Sequence, residues 1–336
     1  MPEPAFALAF DNVAKHFRGR GRDLVRAVDG VSLEVKQGET LALVGESGCG
    51  KSTLARLALR LEEPTAGRVL LGGTDIGSIG ARAFRPQRRT IQMVFQDPYA
   101  SLDPRMDAAA IVREPLDNFR VGAPSERNER ARNLLNRVGL VSEFHHRYPH
   151  ELSGGQRQRL GIARELALEP RVIVADEPVS ALDVSIRAQV LNLLNDIQRE
   201  FGLSMLFVSH DIGVVAKVSD RIAVMYLGRI VEQGPTSEIL RQPRHPYTQA
   251  LLSAAPAMHP DLRRVRRPLE GDPPSPSRPP AGCHFHTRCP IAEARCRIER
   301  PLLRDLSTRV AAACHLAMPE PVPPAQTESL DFVRRA

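Results

Sequence analysis

A nine-residue segment rich in glycine, GESGCGKST at residues 45–53, constrains this chain more than any other feature. The apolar run LALV precedes it, and LARLALRL, with leucines at helical spacing, follows it. The pattern predicts a buried strand, a loop and a helix, which is the arrangement of a phosphate-binding loop. Glycines let backbone N–H groups converge on anionic oxygens, and the N-terminus of the helix adds a favourable dipole.

The positions of this motif predict separate roles for its side chains. Lys51 is expected to reach the β- and γ-phosphates of a nucleotide, and Ser52 to ligate Mg²⁺. Cys49 is interpreted as a small filler of the loop rather than a nucleophile. The remaining nucleotide contacts are expected from Gly45, Ser47, Gly48, Gly50 and Thr53.

The overall composition is that of a globular protein with two or three structural units, since the chain has 336 residues, 42% of them hydrophobic and 25% charged. The net charge of +7 is compatible with a nucleic acid or an anionic membrane as partner, and equally with a solvated surface rich in arginine. No apolar run approaches the ~18 residues of a membrane span. We expect a cytosolic protein, in which disulfides are rare.

Short apolar runs alternate with helical segments along most of the chain, which predicts an α/β fold with a parallel sheet. Residues 97–149 are polar with a helical pattern, and residues 186–201 predict an amphipathic helix. Residues 260–282 are rich in Arg, Pro and Ser and predict an extended linker. Strands are predicted at residues 6–13, 31–35, 41–44, 171–175, 204–209 and 222–226.

Two carboxylates lie at the end of the predicted buried strand in RVIVADEP, residues 171–178. Asp176 is expected to hold Mg²⁺ through its water shell. Glu177 then lies beside the γ-phosphate, where a general base for attack by water belongs. The alternative is a pair of acids that cap the following helix.

A second glycine-containing segment, LSGGQRQR at residues 152–159, precedes another helix. It predicts a second anion-binding helix N-terminus, formed by Ser153, Gly154, Gly155 and Gln156. One nucleotide cannot easily use both sites. We therefore expect each to bind a different ATP across a dimer.

Together these motifs resemble the nucleotide-binding subunit of an ATP-binding cassette (ABC) transporter over about residues 6–255. The resemblance implies a phosphate-loop ATPase core, an antiparallel β subdomain and a helical subdomain over about residues 97–165. It implies that Phe17 stacks on adenine and that Gln96 senses Mg²⁺ and the attacking water. It also implies that the segment SALD, which ends at Asp183, is the D-loop of the family. His210 matches the histidine that contacts the γ-phosphate.

The C-terminal part resembles the ATPases of oligopeptide/dipeptide importers, through HPYT at residues 245–248 and GDPPSPSRPPAGCHFHTRCP at residues 271–290. The details are similar to the second ATPase of such systems. The resemblance implies a sister ATPase as heterodimer partner, two integral membrane permeases and an extracytoplasmic peptide-binding protein, without nucleic acid. It places the subunit peripherally on the cytoplasmic face of the inner membrane.

Other functions remain open at this point. The same machinery can import nickel, glutathione or another small solute. A non-transport ABC ATPase is a further alternative, although the spacing from Gly45 to Ser153 leaves no room for a long coiled coil.

Four cysteines crowd into the last fifth of the chain with spacings x5, x6 and x17: Cys283, Cys289, Cys296 and Cys314. Four thiolates suggest an S₄ site for an iron–sulfur cluster or zinc. A C-x₂₋₄-C knuckle typical of structural zinc is absent, and the family resemblance implies a [4Fe–4S] cluster. Buried thiols without metal, or ligation by His284, His286 or His315, are the alternatives. We expect an ATPase domain at residues 1–255, a linker at 256–282 and a small Cys-rich extension at 283–336.

Overall fold

Two β-sheets organise the protein in a computed structural model that describes residues 5–19, 23–254 and 271–319. The described strands, in chain order, are β1 (Phe6–Arg18), β2 (Leu24–Lys36), β3 (Thr40–Val44), β4 (Ala66–Leu71), β5 (Thr74–Asp75), β6 (Ile91–Val94), β7 (Val172–Asp176), β8 (Ser204–Ser209), β9 (Arg221–Tyr226), β10 (Arg229–Pro235), β11 (Arg304–Asp305) and β12 (Ala311–Ala312).

The larger sheet has the strand order β11-β12-β10-β9-β3-β8-β7-β6. Its centre, from β9 to β6, is parallel, whereas β10, β12 and β11 are antiparallel to their neighbours. Every residue of β3, β7 and β8 is buried, because apolar clusters pack against both faces of this parallel sheet. The predicted α/β fold with a parallel sheet is therefore observed, with an antiparallel edge.

The smaller sheet is antiparallel, with the order β2-β1-β4-β5. Its two long strands, β1 and β2, extend well beyond the predicted runs and pair along almost their whole length. In β2 buried and exposed residues alternate over much of the strand, as expected where one face of a sheet packs on the core.

Helices occupy the connections between the strands. The described α-helices are α1 (Lys51–Ala58), α2 (Ala81–Phe84), α3 (Pro98–Ser101), α4 (Ala108–Phe119), α5 (Pro124–Arg137), α6 (Gly154–Leu166), α7 (Val184–Phe201), α8 (Ile212–Val218), α9 (Thr236–Arg241), α10 (Pro246–Ala254) and α11 (Ala294–Ile298). Short 3₁₀ helices lie at Pro86–Arg89, Ser142–Phe144 and Pro149–Glu151. Among the described residues, no helix is long and apolar enough to span a membrane.

Two large apolar clusters form the core, one on each face of the larger sheet. Alternate residues of β3 divide between them: Ala42 and Val44 belong to one cluster, and Leu41 and Leu43 to the other. The first cluster continues through α4, α5 and α6, so these helices share a core with the sheet. The carboxyl ends of the parallel strands are thereby held as a rigid edge.

The C-terminal residues do not form a separate small extension, so this part of the predicted fold class is not supported. Strand β12 pairs with β10 and joins the larger sheet, and Phe285 is 1% exposed within the main core. The apolar cluster that belongs to this segment alone is small: Leu306, Ala312 and Ala317. Such a segment buries too little apolar surface to fold alone and gains stability by packing on the ATPase core. Residues 256–270 of the predicted linker lie outside the described residues.

Candidate nucleotide-binding site

The phosphate loop connects β3 to α1, as the sequence predicts, and three of its glycines meet strict geometric demands. A Cβ on Gly45 would lie 2.2 Å from the carbonyl oxygen of Met225, and one on Gly50 would lie 2.0 Å from that of Ala27. Gly50 and Gly48 also have positive φ angles, of 112° and 79°. Glycine is therefore required at position 50 both for its backbone conformation and for the close approach of a neighbouring strand.

The side chain of Lys51 lies inside this loop and is 4% exposed. Its Nζ donates to the carbonyl oxygens of Gly45 at 2.7 Å and Glu46 at 3.0 Å. The ammonium group is thus held at the loop, where incoming phosphate oxygens can replace these carbonyls. Cys49 is buried, and burial raises the pKa of its thiol, which fits the predicted role of filler. Ser47 and Gly48 are exposed at the loop, and Ser52 and Thr53 are half-buried in the first turn of α1.

Two of the three residues predicted at the Mg²⁺ site, Ser52 and Asp176, are hydrogen-bonded to each other, whereas the third, Gln96, makes no hydrogen bond with them. Ser52 Oγ donates to Asp176 Oδ1 at 3.1 Å, although 124 residues separate them in sequence. Asp176 ends β7 and is buried; burial raises its pKa, while the Ser52 hydrogen bond, Arg56 and Lys51 oppose the shift. A hydroxyl and a carboxylate beside a lysine form an oxygen donor set of the kind that Mg²⁺ prefers next to phosphates.

Glu177 and His210 follow the ends of neighbouring parallel strands, β7 and β8, and their side chains meet. His210 Nδ1 lies 3.1 Å from Glu177 Oε1, with the carboxylate side chain 14% exposed and the imidazole 52% exposed. Glu177 has a φ of 47°, and its N–H donates to the carbonyl of Val208 at 3.0 Å. A non-glycine residue in this left-handed region stores strain of the kind found at functional sites.

The LSGGQ segment begins α6, with Ser153 as its N-cap. Ser153 Oγ accepts from the N–H of Gln156 at 3.3 Å, and Gln156 Oε1 accepts from the N–H of Ser153 at 2.8 Å. This reciprocal capping box presents Ser153 at the surface. A Cβ on Gly155 would lie 2.4 Å from Ile186 Cγ2, whereas one on Gly154 would find only Leu182, at 3.6 Å.

The segment SALD packs beside this helix start and leads into α7. Asp183 takes the N-cap position of α7, but its side chain makes no capping hydrogen bond and is exposed. The next residue, Val184, is 80% exposed.

Phe17 and Gln96 lie apart from the hydrogen bonds described above. Phe17 is half-buried near the end of β1, with Lys15 Nζ 4.9 Å from its ring centroid. Gln96 follows β6 at the carboxyl edge of the sheet and is exposed. The structure therefore gives both side chains access to ligands without showing a contact to the phosphate loop.

Two residues that hold the phosphate loop, Tyr247 and Arg288, were not predicted from the sequence. The hydroxyl of Tyr247 accepts from the N–H of Glu46 at 2.8 Å. Arg288 binds the carboxylate of the same residue with both terminal nitrogens, at 2.7 and 3.1 Å. The motif HPYT and the segment around CHFHTRCP are recognisable in the sequence, but nothing in either pattern identifies Glu46 as the residue that they contact.

The motif HPYT has a structural role in placing Tyr247. Glu232 is fully buried, and its two carboxylate oxygens accept from the N–H groups of Arg244 at 2.6 Å and His245 at 3.0 Å. The Nδ1 of His245 in turn accepts from the N–H of Tyr247 at 3.0 Å. Burial lowers the pKa of His245 to about 3, so the ring is neutral, with its proton on Nε2.

The four C-terminal cysteines are all free thiols. Burial raises the pKa of Cys283 to about 11, and it raises the pKa values of Cys289 and Cys314 as well. Among the described residues, which include all four, no group of three or more His, Cys, Asp or Glu side chains is placed to hold a metal ion. The geometry of the described residues therefore does not support the predicted metal cluster.

A phosphate loop, a partly buried hydroxyl–carboxylate pair and a strand-end glutamate define an ATP-binding protein of the phosphate-loop class. Comparisons with known proteins narrow this class. A family model described as "ABC transporter" matches residues 28–180. A second, "oligopeptide/dipeptide transporter, C-terminal region", matches residues 231–296.

Curated relatives match most of the chain. A probable peptide ABC transporter ATP-binding protein of Sinorhizobium fredii is 56% identical over 88% of this chain and 84% of its own length. The oligopeptide transport ATP-binding protein AppF of Bacillus subtilis is 52% identical, with 87% and 90% covered. The di/tripeptide transport ATP-binding protein DppF of Pseudomonas aeruginosa is 50% identical, with 89% and 92% covered.

Solved structures match about two thirds of the chain. The ATP-binding cassette MJ0796, in a dimeric post-hydrolysis state bound to ADP and Pi, is similar with a TM-score of 0.63 and 33% identity over 68% of this chain and 98% of that one. CbiO1 of Clostridium perfringens is similar with a TM-score of 0.64, 30% identity and coverages of 71% and 92%. The chain belongs to the ATP-binding subunits of ABC transporters, ATPases whose hydrolysis drives transport, and the resemblance inferred from its motifs is confirmed.

Proposed function

We propose that this chain is the ATP-hydrolysing subunit that powers import of oligopeptides or dipeptides through a membrane ABC transporter. The observation that carries the proposal is the match of residues 231–296 to the C-terminal region of oligopeptide/dipeptide transporters. Relatives at 50–56% identity carry names of peptide transporters, which supports the same cargo class. Nickel, glutathione and other small solutes are the competing cargoes.

Each side chain around the phosphate loop has its own role in ATP hydrolysis. Lys51 exchanges the carbonyls of Gly45 and Glu46 for the β- and γ-phosphates. Ser52 and Asp176 hold the metal, and Mg²⁺, when bound, neutralises charge on the phosphate oxygens. Glu177 orients the attacking water and accepts its proton.

His210 and Gln96 complete the site. The imidazole of His210 holds the Glu177 carboxylate in place through Nδ1 and presents Nε2 toward the γ-phosphate side. Gln96, exposed at the sheet edge, senses Mg²⁺ and the attacking water and links the site to the helices between residues 98 and 166. Phe17 stacks on the adenine ring.

Two subunits close over two ATP molecules in this proposal. Ser153, Gly154, Gly155 and Gln156 complete the site of the partner, and Asp183 lies at the same contact. The exposed positions of Ser153 and Val184, and the dimeric state named for MJ0796, support this arrangement. The partner is a sister ATPase.

The complete transporter contains further subunits. Two integral membrane permeases receive the force of closure, and an extracytoplasmic peptide-binding protein delivers the cargo. The subunit works at the cytoplasmic face of the inner membrane and binds no nucleic acid. Residues 1–255 supply the ATPase unit, and residues 283–336 follow the linker at 256–282.

Uptake by cells that lack the gene tests the cargo. Labelled di- and oligopeptides, nickel and glutathione are offered to the deletion strain carrying either the wild-type gene or Glu177→Gln. The control is Glu143→Gln, at an exposed glutamate of the 3₁₀ helix Ser142–Phe144. Peptide uptake restored by the wild type and the control, but not by Glu177→Gln, supports the proposal. Restoration of nickel or glutathione uptake alone would contradict it.

We further propose that Cys283, Cys289, Cys296 and Cys314 hold a [4Fe–4S] cluster, with Zn²⁺ as the alternative. The N–H of Cys283 donates to the carbonyl of Cys296 at 2.9 Å, so these two of the four cysteines are neighbours in the fold, which supports the proposal. Ligation requires the thiols to lose their protons and draw together.

Metal analysis of full-length protein purified without oxygen tests this second proposal. Iron and sulfide that disappear in Cys289→Ser but persist in Cys49→Ser support the cluster. Stoichiometric zinc without iron would replace the cluster by a zinc site. Protein free of both metals would refute the site.

A further inference from the structure

Glu46, the second residue of the phosphate loop, is held by two side chains that come from the C-terminal third of the chain. The hydroxyl of Tyr247, in α10, accepts a hydrogen bond from the backbone N–H of Glu46 at 2.8 Å. Arg288 donates two hydrogen bonds to the Glu46 carboxylate, at 2.7 and 3.1 Å. The pair Arg288 and Glu46 is separated by 242 residues in sequence. These contacts fix both the backbone and the side chain of one loop residue.

The surroundings make this contact rigid. The side chain of Arg288 is 4% exposed and that of Glu46 is 25% exposed. Two-pronged pairing of a guanidinium with a carboxylate is directional and strong, and Glu46 raises the pKa of Arg288 further above its usual range. Tyr247 packs against Tyr226 and Phe285, with ring centroids 4.6 and 5.4 Å away.

The chemistry of the loop shows why the pairing affects nucleotide binding. Glu46 places a carboxylate in a loop that binds a polyanion, and an unpaired carboxylate there repels the triphosphate. Arg288 cancels that charge. The carbonyl of the same residue is a partner of Lys51 Nζ at 3.0 Å, so displacement of Glu46 also disturbs the lysine that contacts phosphate.

We propose that Arg288 is a positioning residue for ATP: it neutralises Glu46 and, with Tyr247, holds the phosphate loop in its binding conformation. Arg288 acts through Glu46 rather than by touching the nucleotide. The C-terminal segment is thus a working part of the nucleotide site. The inference rests on nucleotide binding at the phosphate loop alone, and not on the proposed cargo or metal.

A double-mutant cycle on the full-length protein tests the inference. Affinity for a non-hydrolysable ATP analogue with Mg²⁺ is measured by calorimetry for Arg288→Met, Glu46→Gln and the double variant. Arg288→Met should weaken binding about tenfold, because it leaves the carboxylate unpaired. Addition of Glu46→Gln should restore affinity to within about threefold of wild type, because the repelling charge is gone.

Steady-state kinetics separate positioning from a general loss of structure. The KM for ATP should rise in Arg288→Met while kcat at saturating ATP stays within about twofold of wild type. Arg221→Ala is the matched control, since Arg221 pairs with Glu39 at 2.7 Å at the opposite end of the sheet. It should lower stability without changing affinity for the analogue.

Two results would overturn the inference: unchanged affinity in Arg288→Met, or a double variant as weak as Arg288→Met alone. If Arg288→Met does not fold, Arg288→Gln replaces it, since glutamine keeps a hydrogen-bond donor but carries no charge. The same loss of affinity, suppressed by Glu46→Gln, is expected. Its absence would refute the role of Arg288.

Discussion

His210 Nδ1 lies 3.1 Å from Glu177 Oε1, so the imidazole and the strand-end carboxylate form one unit at the carboxyl edge of the sheet. The imidazole is 52% exposed, so a ligand can reach the part of the ring that does not contact Glu177. The pairing of β7 with β8 creates this contact, because the residues that follow neighbouring parallel strands meet at the same edge.

Glu177→Gln should keep ATP binding and lose nearly all turnover, because the amide cannot accept the proton of the attacking water. We expect hydrolysis in a single turnover to fall by about 10²–10⁴. His210→Ala should lower kcat with little change in ATP affinity, since it frees the Glu177 side chain. Glu143→Gln, at an exposed site, is the control. Single-turnover hydrolysis near the wild-type rate in Glu177→Gln would refute the role of general base.

Gly154→Asp is expected to abolish cooperative hydrolysis while the monomer still binds ATP. The added side chain meets only Leu182 at 3.6 Å within its own chain, and an aspartate in the first turn of α6 favours the helix dipole. Its negative charge would oppose phosphate bound by a partner subunit. The measurement is the affinity of monomeric Gly154→Asp for ATP, determined by calorimetry and compared with the affinity of Lys51→Ala.

Gly155→Asp would be a poor choice for the same test, since its Cβ would lie 2.4 Å from Ile186 Cγ2 of the same chain. Lost activity in that variant would reflect a displaced α7 as much as a damaged composite site. If Gly154→Asp reduced ATP affinity of the monomer as severely as Lys51→Ala, the assignment of the LSGGQ segment to the partner's ATP would be wrong.

Gly50→Ala should destabilise the nucleotide-free protein much more than Gly72→Ala. Both glycines have positive φ angles, but a Cβ on Gly50 would lie 2.0 Å from the Ala27 carbonyl oxygen, whereas Gly72 has open space around it. Backbone strain alone costs about 1–3 kcal/mol. Urea unfolding should show that cost for Gly72→Ala and a larger loss, with lost ATP binding, for Gly50→Ala. Equal losses would show that the loop moves away from Ala27 without penalty.

Local motifs explain why much of the ATP site was predictable. Gly50, Lys51 and Ser52 are adjacent in sequence, so one strand–loop–helix pattern suffices to identify them. Asp176 and Glu177 are recognisable because a buried strand ends at them. The parallel sheet then brings these segments together, as the contact between Ser52 and Asp176 shows.

Long-range contacts explain what the sequence left undetermined. Arg288 reaches Glu46 across 242 residues, and no local pattern encodes that pairing. The strand β12 has only two residues, too few for a period-2 pattern, so its place in the larger sheet was invisible. Gly155 was predicted as a phosphate contact, but its close neighbour Ile186 emerges only when α6 and α7 pack.

Acid should destabilise the protein through His245. Its folded pKa, about 3, lies below the unfolded value of 6.5, so between these values the unfolded chain binds a proton that the folded chain does not. Stability is therefore full above pH 6.5 and falls as the pH decreases toward 3. From pH 7 to pH 5 the free energy of unfolding should fall by about 2 kcal/mol from this group.

His245→Asn isolates that contribution, because the amide oxygen can accept the N–H of Tyr247 as Nδ1 does, at 3.0 Å, yet does not titrate. Burial raises the pKa of nearby Glu232, which acts in the opposite direction, but Glu232 is present in both proteins and cancels in the comparison. Urea unfolding at pH 7 and pH 5 should show the wild type losing about 2 kcal/mol more than the variant. Equal losses would mean that His245 is protonated without leaving its place between Glu232 and Tyr247, and the neutral ring inferred from its burial would be wrong.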